Sequence, residues 1–170
     1  MATFTAEAPT DVLKDVNFLE KNAIDIFKGM TKAGAEVAAE NIKSNAGRTF
    51  KNGMAAKVNA KLKVTKPYET KKHEIATGAR YYGYLTTNRH KGSFSIKIKG
   101  KQYGPYPGLP AAILANLAEY GTSSKAMPAQ FKEYWDGVKK PFIRPAFSNS
   151  ASIEKAMMKA QKKLSKGILE

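Results

Sequence analysis

The chain has 170 residues, 42% of them hydrophobic, with 29 Lys and Arg against 14 Asp and Glu, a net charge of +15 and no cysteine. That length and apolar content fit one folded domain over residues 1–170 with a sizeable core, and the absence of thiols excludes a disulfide framework and cysteine chemistry. No apolar run reaches the roughly twenty residues a membrane span needs, and Met1-Ala2-Thr3-Phe4-Thr5-Ala6-Glu7 lacks the basic and apolar regions of an export signal, so neither is expected.

Residues 11–45 predict one long helix. Val12, Val16, Leu19, Ala23, Ile26 or Phe27, Met30, Ala33 or Gly34, Val37 and Glu40 or Asn41 step by threes and fours, an apolar stripe that turns polar at its end. Thr10 or Asp11 suits the N-cap. Gly29 and Gly34 weaken the middle by about 1 kcal/mol each relative to alanine, which points to a bend or a close helix contact. A polar link over residues 45–53 follows.

Residues 56–104 form the strand section. Ala56, Val58, Ala60, Leu62 and Val64 alternate with Lys57, Asn59, Lys61, Lys63 and Thr65, the pattern of a half-buried strand with a lysine-rich outer face. Glu74 to Leu85 is a second strand with Gly78 and Gly83 as bulges or bends. Phe94, Ile96 and Ile98 alternate with Ser95, Lys97 and Lys99 in a third, while Asn88 to Gly92 and Gly100 are turn material. A rigid turn is expected over Gly104-Pro105-Tyr106-Pro107-Gly108.

Residues 110–147 begin with a short helix, Ala111 to Tyr120, with Pro110 at its first position and Gly121 ending it. Residues 122–147 read as irregular and hold the single tryptophan, Trp135. A last helix covers residues 150–167, with Ile153, Met157, Ala160 and Leu164 as its apolar edge and lysines around the rest. Its edge is narrow and lacks aromatics, which suits solvent or a protein partner better than a membrane. The expected fold is α+β: a small, mostly antiparallel sheet packed against a long N-terminal helix and a C-terminal helix.

The charge is segregated. Residues 1–50 carry a net −1, residues 51–104 carry +11, and residues 105–170 add +5. Such a field attracts nucleic acid, acidic protein or anionic lipid alike. Lys57, Lys61, Lys63, Lys97 and Lys99, with Tyr81, Tyr82, Tyr84, Arg80, Arg89 and His90 nearby, could contact phosphates and stack on bases. The simpler reading is that edge lysines keep strands from aggregating while the tyrosines are half-buried. No recognised nucleic-acid module is present.

Catalytic chemistry finds little support. His73 and His90 stand apart from other ligand types except the adjacent Glu74, so no metal or cofactor is expected. Ser123 and Ser124 follow Gly121 without the elbow of a serine nucleophile, and no phosphate loop is present. The acidic residues of the first helix read as solvated partners of its lysines. The expectation is a protein that is not an enzyme.

Two further stretches are dense in backbone punctuators and large anchors. They are Tyr120-Gly121-Thr122 and Pro141-Phe142-Ile143-Arg144-Pro145-Ala146-Phe147. Gly121 can adopt positive φ, Pro141 and Pro145 stiffen the chain, and Arg144 can pair bidentately with a carboxylate. Phe142 suits either the core or a partner, whereas Arg144 suits an outward reach. The pair resembles the motifs of the gene-product-ten-like tail-component family of tailed phages, whose members act at the neck between head and tail. The order of elements resembles that family across nearly the whole chain, while residues 48–54 and Glu133-Tyr134-Trp135-Asp136 depart from its pattern. The resemblance implies a structural virion protein, made in the bacterial cytoplasm, that joins head to tail or completes the tail. It implies a hexameric ring and contacts with other neck or tail proteins. The basic segment is then expected to face away from the DNA path, since phosphate contacts would grip DNA that must pass.

Overall fold

The computed structural model describes residues 10–85, 94–98, 100–121, 132 and 134–165. It is an α+β arrangement of a long N-terminal helix, a C-terminal helix and small antiparallel sheets of two strands each.

The first helix, α1, runs Thr10–Thr49, four residues beyond its expected end. The polar link expected at residues 45–53 is helical up to Thr49 because tertiary contacts outweigh local propensity. Ala46 is fully buried, Thr49 and Phe50 are nearly so, and Gly47 faces open space. The buried face also differs from the expected stripe. Ile26 and Gly34, each one of two alternatives in the stripe, are buried, and Ala35, Ala38, Ala39, Ile42 and Ala46 enter the core beyond it, while Val16, Leu19 and Phe27 are exposed. Small side chains won because they let neighbouring elements approach the helix axis closely.

Residues Met54–Asn59 form a helix, α2, where the alternating pattern had predicted a strand. Met54 and Val58 are both fully buried, and they stand one helical turn apart. The intervening alanines favour a helix, so the period of two was a coincidence of Ala56 and Ala60, both of which are exposed. The strand proper, β1, is only Leu62–Val64. β2 (Tyr68–Glu69) pairs with β3 (Ile75–Ala76). The stretch read as one strand over residues 74–85 breaks at Gly78 and Gly83 into β3, β4 (Ala79–Tyr81) and β5 (Tyr84–Leu85).

β4 pairs with β1, with Lys63 opposite Arg80. β6 (Phe94–Ile98) pairs with β7 (Lys101–Tyr106), and the register shifts between Phe94 and Ile96. β7 runs through the expected turn at Gly104-Pro105, joined by a cis peptide bond, because the ladder absorbs the irregularity instead of ending. β8 (Leu109–Pro110) pairs with β5, so Pro110 closes a strand and caps the helix α3 (Ala111–Tyr120) that follows. The four ladders among the described residues are antiparallel.

The expected irregular region contains a short helix, α4 (Arg144–Ser148), just before α5 (Ser150–Leu164). α5 returns along α1, and the glycines mark a close helix contact. A Cβ on Gly34 would lie 2.9 Å from Met157 Cγ and 3.2 Å from Ile153 Cγ2, and one on Gly29 would strike Leu164. One apolar cluster, including Phe50, Met54, Leu85, Leu114, Trp135 and Phe142, joins α1, α2, α3 and the segment before α4.

Candidate partner-binding corner

The apolar sequence of α3 carries one carboxylate into the interior. Glu119 is 2% exposed in the helix's last turn. Its Oε2 accepts the backbone N–H groups of Phe142 and Ile143, each at 2.8 Å, and Oε1 accepts that of Arg144 at 3.0 Å. These are amides at the start of α4, which has no capping side chain of its own. Burial by itself would raise the Glu119 pKa. The three N–H donors, helped by the Arg144 charge, outweigh it and hold the carboxyl below its usual range.

The opposite side of the same segment is held by α1. Asn41 Nδ2 donates to the Ala146 carbonyl at 3.2 Å, Asn45 Nδ2 to that of Phe142 at 3.3 Å, and Thr49 Oγ1 to that of Lys140 at 3.3 Å. The spacing of four residues stacks these donors on one face of the helix. Lys140, Phe142, Ile143 and Arg144 thus give their amides to α3, and Lys140, Phe142 and Ala146 their carbonyls to α1. Such pinning satisfies backbone groups that a ladder would otherwise serve.

Gly121 turns the chain at this corner. It has φ of 81°, and its N–H donates to the Leu117 carbonyl at 2.7 Å. A Cβ there would lie 3.1 Å from Lys139 Cβ, so both conformation and space ask for glycine. Lys140 N–H donates to the Ala118 carbonyl at 2.9 Å, and the Lys140 ammonium meets Asp136. That hydrogen bond is the main reason the Asp136 carboxyl lies below its usual range. Trp135 Nε1 donates to the Val138 carbonyl at 2.9 Å, which fixes the bend leading into the segment.

The motif residues divide into two sets. Phe142 is 0% exposed and packs edge-on against Phe50 at 5.4 Å, so of its two readings the core one holds, and Ala146 is buried with it. Neither can reach a partner. Tyr120, Pro141, Arg144, Pro145 and Phe147 are exposed. The Arg144 guanidinium lies 5.1 Å from the centre of the Tyr120 ring, a cation–π stack on the surface. Thr122 lies outside the described residues, as do Ser123 and Ser124. Beneath the corner, the Tyr81 hydroxyl is buried without a hydrogen-bond partner among the described residues, and burial, with the Glu119 charge second, pushes its pKa far up.

The basic residues do not share one strand face. Lys57 is on α2, Lys61 is half-buried in the turn after it, Lys63 is on β1 and Lys97 is on the separate β6–β7 ladder. The helix over residues 54–59 is what divides them. Lys99, Arg89 and His90 lie outside the described residues. His73 is less isolated than its sequence neighbours suggested. Its Nδ1 lies 2.6 Å from Glu69 Oε1, across the β2–β3 hairpin and in the open. Among the described residues no group of three His, Asp or Glu side chains could hold a metal ion, and no helix is long and apolar enough to cross a membrane.

Sequence reasoning missed Glu119, Asn41, Asn45 and Thr49. The available signals were a carboxylate in an otherwise apolar helix and three small polar residues spaced by four. No protein-family model matches the chain, and neither a curated protein nor a solved structure matches it.

Proposed function

We propose that this chain is a structural, non-enzymatic virion protein of a tailed phage or prophage, joining head to tail or completing the tail at the neck. The observation that carries the reading is the Glu119 clamp. Its hydrogen bonds to Phe142, Ile143 and Arg144 join the end of α3, beside Tyr120 and Gly121, to a segment 23 to 25 positions further along the chain. A rigid base of this kind presents Tyr120, Arg144 and Phe147 outward, with little further ordering needed on contact. Neighbouring neck or tail proteins, and other copies in a ring, are the expected partners. Particles made without the gene should accumulate as separate heads and tails. Full heads with normally attached tails in that background would rule the proposal out.

A second reading, nucleic-acid binding, is favoured by one feature. Lys63 and Arg80 are directly opposite each other on β1 and β4, both exposed, with Tyr82 exposed beside them. Like charges so placed weaken the pair unless a polyanion lies between them. Labelled DNA titrated across salt concentrations separates the readings. Submicromolar binding that survives physiological salt and falls on replacing Lys57, Lys61 and Lys63 supports this one.

A further inference from the structure

Two cations that lack a carboxylate flank Tyr120. The Arg144 guanidinium lies 5.1 Å from its ring centre, and Lys139 passes beside Gly121, where an added Cβ would come within 3.1 Å of the lysine's own. All three side chains are exposed. Among the described residues no carboxylate is within ion-pair distance of either cation. The two acids of the corner are engaged elsewhere. Both Glu119 oxygens hold the amides of Phe142, Ile143 and Arg144, and Asp136 takes the Lys140 ammonium and the Val138 N–H.

We propose that this corner binds an acidic peptide segment of a partner protein. One carboxylate of that segment is gripped by Arg144 with Lys139 beside it, and the apolar side chains next to the carboxylate lie on Tyr120 and Phe147. Contact with the ring already holds the guanidinium in place, so less rotamer freedom is lost when it takes a carboxylate through two parallel N–H bonds. Phe147 follows Arg144 by three positions on α4, which makes the two neighbours on the helix surface, and it is 53% exposed. The proposal deepens the partner-surface reading of the corner and rests on it, but it does not require the partner to be a virion protein.

Charge and composition favour this occupant. Residues 134–147 carry Lys139, Lys140 and Arg144 against Asp136, a net +2. Lys51 adds a further cation at their edge, where its N–H donates to the Tyr134 carbonyl at 2.8 Å. An acidic segment is therefore drawn in and a basic one repelled. A nucleic-acid strand asks for a row of cations that follows successive phosphates. Here two cations share one aromatic platform with an apolar rim, and Tyr and Arg are the residue types that dominate protein-recognition hot spots.

The full chain is titrated with acetyl-Ala-Leu-Asp-Leu-Ala-amide at physiological ionic strength, and the NMR signals of the Tyr120 ring and the Arg144 guanidinium are followed. Those signals should move together. The same peptide with Asn in place of Asp should bind at least about tenfold more weakly, the scale of one charge-assisted contact. Arg144→Gln should match that loss, and Arg144→Lys should fall below wild type because it keeps the charge and loses the fork. Lys155→Gln, on α5, should bind as wild type does, and circular dichroism should be unchanged in all three variants because each alters an exposed side chain. Signals that stay still, or equal binding of the Asp and Asn peptides, overturn the proposal. So does a loss shared equally by Arg144→Gln and Lys155→Gln, which would be diffuse attraction to a basic protein. A short oligothymidylate that moves the same two signals in preference to the peptide overturns it in favour of a phosphate chain. Failure here is separate from failure of the virion reading, which particles made without the gene decide.

Discussion

The carboxylate of Glu119 accepts the backbone N–H of Phe142 at 2.8 Å, inside the protein and across 23 positions of chain. The bond joins the last turn of α3 to the residue that fills the core beneath it. Phe142 is therefore held twice, by its ring against Phe50 and by its amide on Glu119.

Removing the clamp should be costly. Glu119→Ala leaves three amides without an acceptor, and the expected loss is roughly 3–5 kcal/mol, the scale for hydrogen bonds to a buried charge. Glu119→Gln keeps one acceptor and should lose about half of that. Urea unfolding midpoints at constant slope measure both. A loss below about 1 kcal/mol for the alanine variant would mean the three bonds hold nothing.

Acid should release the same clamp. The folded-state pKa of Glu119 lies below its ordinary value, which is about 4.3. Its contribution is complete above that value and disappears as pH falls through the folded pKa, because the unfolded chain takes up the proton first. The stability gap between wild type and Glu119→Gln should thus be constant from about pH 5 to 7 and close below about pH 4. A gap that does not begin to narrow as pH falls below about 4 contradicts the assignment.

Two glycines on one helix should respond with opposite signs. Gly34→Ala drives a methyl against Met157 and Ile153 and should cost about 1–3 kcal/mol through overpacking. Gly47→Ala meets nothing within 4 Å and should add about 0.5–1 kcal/mol of helix propensity. Thermal melts of the pair suffice. Equal effects at the two sites would mean that α5 does not sit on α1 as described.

The exposed stack tests the corner as a partner surface. Arg144→Ala and Tyr120→Ala should each change stability by no more than about 1 kcal/mol, the scale of an exposed cation–π contact. Both should nonetheless block joining of heads to tails when supplied in place of the wild-type gene. Normal particles from both variants would separate this corner from assembly.

Much of this architecture was legible because it rests on periodicity. The three-and-four spacing of α1, the edge Ile153–Met157–Ala160–Leu164 and the alternation of Phe94, Ile96 and Ile98 each describe a surface that must be covered. Gly29 and Gly34 announced a bend or a close helix contact, and the approach of Leu164 and Met157 makes it the contact. The misreadings came where two periods fit the same residues. Met54 and Val58 satisfy a helix, Val58 and Leu62 a strand as well, and only the packing of Met54 decides. The clamp was illegible for another reason. A hydrogen bond donated by residue 142 to residue 119 is a relation between two distant stretches, and no pattern within either one encodes it.

The hold of α1 on residues 140–146 has a consequence for the order of synthesis. Asn41, Asn45 and Thr49 bind carbonyls that lie 105, 97 and 91 residues downstream. A ribosome adding about 5–20 residues per second needs roughly 5–20 seconds to deliver them. Through that interval the helix end, with Ala46 and Phe50, lacks the strap that later covers it. A chain cut short before residue 140 has no means of closing this seam. The closed corner is therefore also a sign that synthesis has passed residue 146.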